Sequence, residues 1–168
     1  RGNGNPGADA KVLEVPGSVV CMRFTRDSTL WVGSFRGGLT ALRGGQRRTF
    51  RRVQGLPQVD VLPADGPGQG LACDNVWALE EDSCGALWIA TLGGGLQRFQ
   101  PRTGQWTTFS CAEGTLADDY LSSLAPSRRG GLWIGMASRG FAFIAFDDLR
   151  ITCYNGTLRG DRRMHSPY

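Results

Sequence analysis

Asn75-Val76-Trp77-Ala78-Leu79-Glu80-Glu81-Asp82-Ser83-Cys84-Gly85-Ala86-Leu87-Trp88-Ile89-Ala90-Thr91-Leu92-Gly93-Gly94-Gly95-Leu96 decides the fold, because the chain carries this pattern three times. Moved forward by 45 positions, Val76 falls on Leu121, Leu79 on Leu124, Gly85 on Gly130, Trp88 on Trp133, Ile89 on Ile134 and Gly95 on Gly140. Moved back by 57, Val76 falls on Val19, Leu79 on Met22, Trp88 on Trp31, Ile89 on Val32 and Gly94-Gly95-Leu96 on Gly37-Gly38-Leu39. A period of this size marks a propeller or a solenoid. The longer first interval reads as an insertion, with Gly55-Leu56-Pro57 followed by a Pro/Gly-rich surface loop from Pro63 to Gly70.

Within a copy, short apolar runs alternate with turn formers, which spells strands rather than helices. In the middle copy the expected strands are Val76–Glu80 (A), Ala86–Thr91 (B), Gly95–Gln100 (C) and Gln105–Ser110 (D). Asp82 to Gly85, Gly93-Gly94 and Pro101 to Gly104 supply the turns: Asp and Ser bond their own backbone, Pro presets φ, and Gly takes positive φ freely. Four strands fit each copy as an antiparallel meander. One meander cannot bury both of its faces, so the copies must stack, with Trp31, Trp88 and Trp133 between neighbouring sheets. Packing, rather than ligand stacking, is the expected work of these tryptophans.

The fold class that follows is all-β: propeller blades of four-stranded antiparallel sheets, about three of them plus an extra strand. Residues 1–15 are read as a segment in which Lys11 to Val15 form the last strand of a preceding blade. Residues 16–74 form a first blade with its inserted loop, 75–119 a second, 120–154 a third, and 155–168 a tail. Propellers close with about four to eight blades. Three blades leave two apolar faces uncovered, to be met by the remaining blades of a longer chain or by self-association.

Composition narrows the function classes. The 168 residues are 40% hydrophobic and 20% charged, too apolar for a disordered tail. The 25 glycines fall in turn-sized clusters, not at a collagen period. Net charge is +4, carried almost wholly by arginine, since Lys11 is the one lysine. The dense basic run Gln46-Arg47-Arg48-Thr49-Phe50-Arg51-Arg52 reads either as a phosphate or acidic-glycan patch or as a solvated strand edge. No nucleic-acid recognition motif accompanies the arginines, and 15 acidic residues are spread through the same blades, so no nucleic-acid partner is expected.

His165 is the one histidine, which leaves no material for histidine triads or histidine metal clusters. Glu80-Glu81-Asp82 and Asp118-Asp119 are adjacent carboxylates on extended chain, where neighbours point to opposite faces. Neither catalysis, nor a cofactor, nor a metal is expected. The five cysteines, Cys21, Cys73, Cys84, Cys111 and Cys153, are odd in number and lack a C-x-x-C pair. Cys84 in an A–B turn and Cys111 after a strand D lie on different edges of one blade, so no bond between them is expected. No stretch of about 18 apolar residues is present.

The string Val-x-x-Leu-x-Glu-Asp-x-x-Gly-x-Leu-Trp-Ile-x-Thr-x-x-Gly-Gly-Leu, here Val76 through Leu96, resembles the two-component regulator propeller repeat. Phe99, Pro101-Arg102-Thr103-Gly104 and Trp106-Thr107-Thr108-Phe109 continue the likeness. The flanking copies depart where Thr25 and Ser127 stand for the Asp and where Ser28 replaces the turn glycine. The resemblance implies the extracytoplasmic, periplasmic sensor region of a bacterial hybrid histidine kinase, in which such repeats usually form seven-bladed propellers and commonly respond to oligosaccharides. Kinase, membrane span and linker domain are not in this sequence, so a membrane enters only through those parts.

In a propeller the B–C turns and D–A connections share one face. Phe35 and Arg36, Asn75 and Trp77, Leu92, Asp118-Asp119-Tyr120 and Ser138-Arg139 fall there, and an aromatic ring beside a guanidinium or carboxylate suits a sugar. Arg36, Asn75, Trp77, Asp119, Tyr120 and Arg139 are the candidate ligand-binding residues; Trp31, Trp88, Trp133, Gly38, Gly95 and Gly140 are the blade signature. Two other readings stand beside the binding module. One takes these as ordinary loop residues of a structural or dimerisation propeller, and the other, disfavoured above, is an enzyme.

Overall fold

The computed structural model describes residues 14–53, 56–59 and 70–154, and among them there are thirteen strands and no helix. The first sheet orders β1 (Ser18–Phe24), β2 (Leu30–Phe35), β3 (Gly38–Arg43), β4 (Gln46–Val53) and β5 (Leu56–Val59). The second holds β6 (Val76–Glu81), β7 (Leu87–Thr91), β8 (Leu96–Gln100) and β9 (Gln105–Phe109). The third holds β10 (Leu121–Ser127), β11 (Gly131–Met136), β12 (Phe141–Ala145) and β13 (Ile151–Tyr154). Every neighbour is antiparallel and follows in chain order. These are stacked propeller blades forming an open arc.

Two features depart from the sequence expectation. The first sheet has a fifth strand: β5 continues the meander by pairing with β4, Phe50 opposite Val59 and Val53 opposite Leu56. Pro57 lacks an N–H, but an outermost strand tolerates it, since one of its sides needs no partner. The proposed strand at Lys11 to Val15 falls mostly outside the described residues; Glu14 and Val15 themselves are not in a strand.

The blades pack face to face around two apolar clusters. Trp31, Leu39 and Phe50 of the first blade meet Val76, Leu87, Ile89, Phe99 and Trp106 of the second. Trp88, Leu96 and Phe109 of the second meet Leu121, Leu132 and Ile134 of the third. Trp31 is 3% exposed and Trp88 0%, but Trp133, at the same place in the third blade, is 38% exposed. Among the described residues, no following blade lies over it. Its face is a layer of aromatic rings, with Phe141 stacked on Tyr154 at 5.1 Å and Trp133 tilted against Phe143 at 4.8 Å. At the other end of the arc, Met22 and Phe24 are more than half exposed.

The acidic position of the repeat is the tryptophan's polar partner. Asp82 accepts hydrogen bonds from the Trp88 indole at 3.0 Å and from the N–H groups of Cys84 and Ala86, both at 2.9 Å. Arg98 donates to it at 3.3 Å and lies 5.8 Å over the Trp88 ring. In the first blade Thr25 Oγ1 takes the Trp31 indole at 3.2 Å, so the departure from Asp preserves the bond and drops the charge.

The Gly-Gly turn has a steric cause. Gly38 and Gly95 have φ of +75° and +71°, and a Cβ there would stand 2.2 Å from the Phe50 carbonyl oxygen and 2.3 Å from that of Phe109. Only glycine fits such a position.

Candidate ligand-binding face

The B–C turns and D–A connections gather on one face of the arc. There the turns of the first two blades bond to the linker of the next blade, and the turns of the second and third also bond to the linker that opens their own. Gly38 N–H donates to the Asp74 carbonyl at 3.0 Å, Leu92 N–H to that of Asn75 at 2.9 Å, and Gly93 and Gly95 N–H to that of Asp119 at 2.9 and 3.1 Å. Ala137 N–H donates to the Tyr120 carbonyl at 2.8 Å. The ends of the candidate loops are therefore held by backbone bonds, and their side chains ride on a fixed frame.

At the first seam, Arg36 takes φ +59° at the tip of the β2–β3 turn. Its N–H donates to Asn75 Oδ1 at 3.1 Å, its carbonyl accepts from Arg51 at 2.8 Å, and its guanidinium lies 5.3 Å from the centre of the Phe35 ring. Phe35 meets Trp77 edge to face at 6.5 Å. Trp77 occupies the extra residue of a β-bulge, between the paired positions Val76 and Ala78. The other two blades shift register at the same point, after Val19 and after Leu121. Bulges re-aim a side chain, and only the second blade puts a large ring there.

At the second seam, Tyr120 bridges to Leu92 and is 58% exposed. Asp118 accepts from Tyr120 N–H at 2.9 Å, from Ser138 N–H at 3.0 Å and from Ser138 Oγ at 2.7 Å. Burial raises its pKa, but these bonds and the charge of Arg139 outweigh burial and hold the carboxyl below the usual range. Asp119 Oδ1 accepts from Cys111 N–H at 2.7 Å.

The six candidates thus fall into two trios. Arg36, Asn75 and Trp77 meet at the first seam; Asp119, Tyr120 and Arg139 sit at the second. Asn75 and Asp119 each spend a side-chain oxygen on the backbone, which gives them work in the fold. The exposed tyrosine, the half-buried tryptophan and the arginines are what face solvent. Arg51, which grips the Arg36 carbonyl and pairs with Asp74 at 3.4 Å, carried no signal beyond its place in the basic run.

This architecture defines a class: an arc of β-propeller blades whose B–C turns and D–A connections share one face. Residues 70–93 match the family model for the two component regulator propeller. No curated protein matches the sequence. Among solved structures, the extracellular domain of a putative hybrid two component system from B. thetaiotaomicron aligns with TM-score 0.62 and 16% identity over 80% of this chain. The chain spans 18% of the length of that domain. Virginiamycin B lyase from Staphylococcus aureus aligns with TM-score 0.55 and 16% identity, over 87% of this chain and 44% of its own. PorZ, a surface component of the type-IX secretion system of Porphyromonas gingivalis, aligns with TM-score 0.53 and 20% identity, over 73% of this chain and 17% of its own. An extracellular domain of a two component system, a lyase and a secretion component share the likeness, so it speaks for the fold and not for one activity.

Proposed function

We propose that this chain is part of the extracytoplasmic sensing propeller of a two-component system, that it takes an oligosaccharide on the face of the B–C turns, and that it relays occupancy to a histidine kinase outside this sequence. The match of residues 70–93 to the regulator propeller supports the sensor class. One observation carries the sugar reading: at the first seam a bulge turns Trp77 against Phe35, with the Arg36 guanidinium alongside. Apolar ring faces receive the C–H face of a pyranose, and a planar donor beside them takes its hydroxyls. The frame is fixed before the ligand arrives, so little ordering entropy is lost on binding.

The test is calorimetric titration of the protein with a panel of oligosaccharides, repeated on Trp77→Ala and Tyr120→Ala. Binding that weakens at least tenfold in either variant, with the thermal transition retained, is the expected result. A sugar that binds both variants as tightly as the parent removes this face from the proposal.

A second reading, a structural or self-associating module, is favoured by the aromatic face around Trp133. A further blade, supplied by a longer chain or by a second copy, would cover it as the third blade covers Trp88. Light scattering over a range of concentrations separates the two sources, because only self-association makes the mass rise with concentration.

A further inference from the structure

At the opposite end of the same seam, among the A–B and C–D turns, lies a cleft of about 560 Å³ lined by Asp27, Trp31, Ala41, Arg43, Gln46 and Arg48 among others. Its size is that of an ordinary small-molecule site, about 300 to 1,000 Å³. A second hollow of about 340 Å³ adjoins it, sharing Asp27 and Pro101.

The repeat explains why the cleft is open. Ala41 stands where the second blade has Arg98, 57 positions on, and Thr25 stands where that blade has Asp82. In the second blade the arginine side chain covers the tryptophan ring and pairs with the aspartate. In the first blade both are missing, and the space above Trp31 is left empty. Strand register aligns Trp31 with Ala41 and Ala41 with Arg48, so all three share the face that looks into the cleft.

The charge in the cleft is unbalanced. Arg48 lies over Phe50, its guanidinium carbon 4.7 Å from the ring centre, and among the described residues it has no carboxylate partner. Arg43, two residues from Ala41 and on the same face, is held to Asp27 at 3.4 Å. Arg47, next along the strand, also borders the cleft, but its guanidinium donates to the Glu14 carbonyl at 2.7 Å. Two guanidinium groups and one carboxylate therefore face a hollow of small-molecule size.

We propose that this cleft is a binding site for a small ligand of sugar size bearing one anionic group, carboxylate, sulfate or phosphate. Arg48 takes the anion, with Arg43 as its second donor. Packing of Arg48 on Phe50 places its guanidinium beside the cleft, and its fork suits a two-toothed grip on a planar or tetrahedral anion. Asp27, whose carboxylate oxygens already accept from Thr25, Thr29 and Arg43, holds Arg43 at the rim of the cleft. The site is separate from the face described above and does not depend on it.

Titration calorimetry at low salt with glucuronate, glucose 6-phosphate, inorganic phosphate and glucose tests the proposal. Glucuronate or glucose 6-phosphate should bind at least tenfold more tightly than glucose, and Arg48→Ala should abolish that preference. Inorganic phosphate binding as tightly as glucose 6-phosphate would show a bare anion subsite and overturn the sugar-sized ligand. Ala41→Arg gives the decisive contrast, because it fills the cleft as Arg98 does while adding positive charge. Loss of binding in Ala41→Arg, with an unchanged thermal transition, supports the cleft. Retained or tighter binding overturns it, since diffuse surface charge alone would then account for the anion, and so does the absence of a response to every anionic probe at millimolar concentration.

Discussion

Replacing Asp82 by alanine tests the account of the blade at its centre. The carboxylate takes four donors: the Trp88 indole, two backbone N–H groups and Arg98. Trp88 is fully buried, so its N–H has no water to turn to, and an unpaired buried donor costs about 1 to 3 kcal/mol. Ala86 is fully buried as well, and losing the acceptor for its N–H adds about 1 kcal/mol. Arg98 keeps a quarter of its side chain in water, so its loss of a partner adds less than the roughly 3 kcal/mol of a fully buried pair. The expected destabilisation is about 3 to 5 kcal/mol. Asp82→Thr should recover at least about 1 kcal/mol of this, because a threonine hydroxyl serves Trp31 in the first blade. Urea unfolding followed by tryptophan fluorescence measures both. A loss below about 1 kcal/mol for the alanine, or a threonine variant no better than it, would refute the claim that the acidic position exists to satisfy the indole.

Gly95→Ala places a Cβ 2.3 Å from the Phe109 carbonyl oxygen, whereas Gly104→Ala, at φ +73°, meets nothing within 4 Å. The second should cost only the left-handed backbone term of about 1 to 2 kcal/mol and the first distinctly more, read from the same urea midpoints. Trp88→Ala should cost about 3 to 5 kcal/mol, while Trp133→Ala, on the open face, should cost less than half of that. Asp118 has a lowered pKa in the fold, so its contribution to stability is complete above the unfolded carboxylate value of about 3.9 and drains away as pH falls through the folded value. Thermal melts from pH 6 downward should therefore separate parent from Ser138→Ala at neutral pH and bring them together in acid. Burial pushes the Cys21 thiol up to about 11, so iodoacetamide at pH 8 should label exposed Cys84 well before Cys21, as peptide mass mapping will report.

The strands of the second blade were legible to within one residue at most of their ends, because Leu87-Trp88-Ile89-Ala90 and its neighbours alternate between turn formers whose backbone demands are local. The glycines were legible for the same reason. β5 was not: four residues containing a proline beside an insertion look like loop, and only the free edge of β4 makes them a strand. Asp82 was read as a turn former, which it is through Cys84 and Ala86, but its bond to an indole six residues on depends on the rotamer that stacking imposes on Trp88. On the face of the B–C turns, the chain positions of Arg36, Trp77 and Tyr120 followed from the meander. The bulge that turns Trp77 outward did not, because Val76-Trp77-Ala78 carries no glycine to announce it. The cleft above Trp31 was hidden in plain alignment: its cause is a missing side chain at Ala41, visible only once Arg98 is seen to cover the equivalent ring.

The backbone bonds from the first two B–C turns to the next linker have a geometric meaning. They clamp one sheet to its successor where the chain enters the first strand of the next sheet, so the angle between adjacent sheets is set locally, seam by seam. The number of blades needed to complete a circle is then a property of the joint and not of the chain ends. Bending at the second joint would break the Gly93 and Gly95 bonds to Asp119.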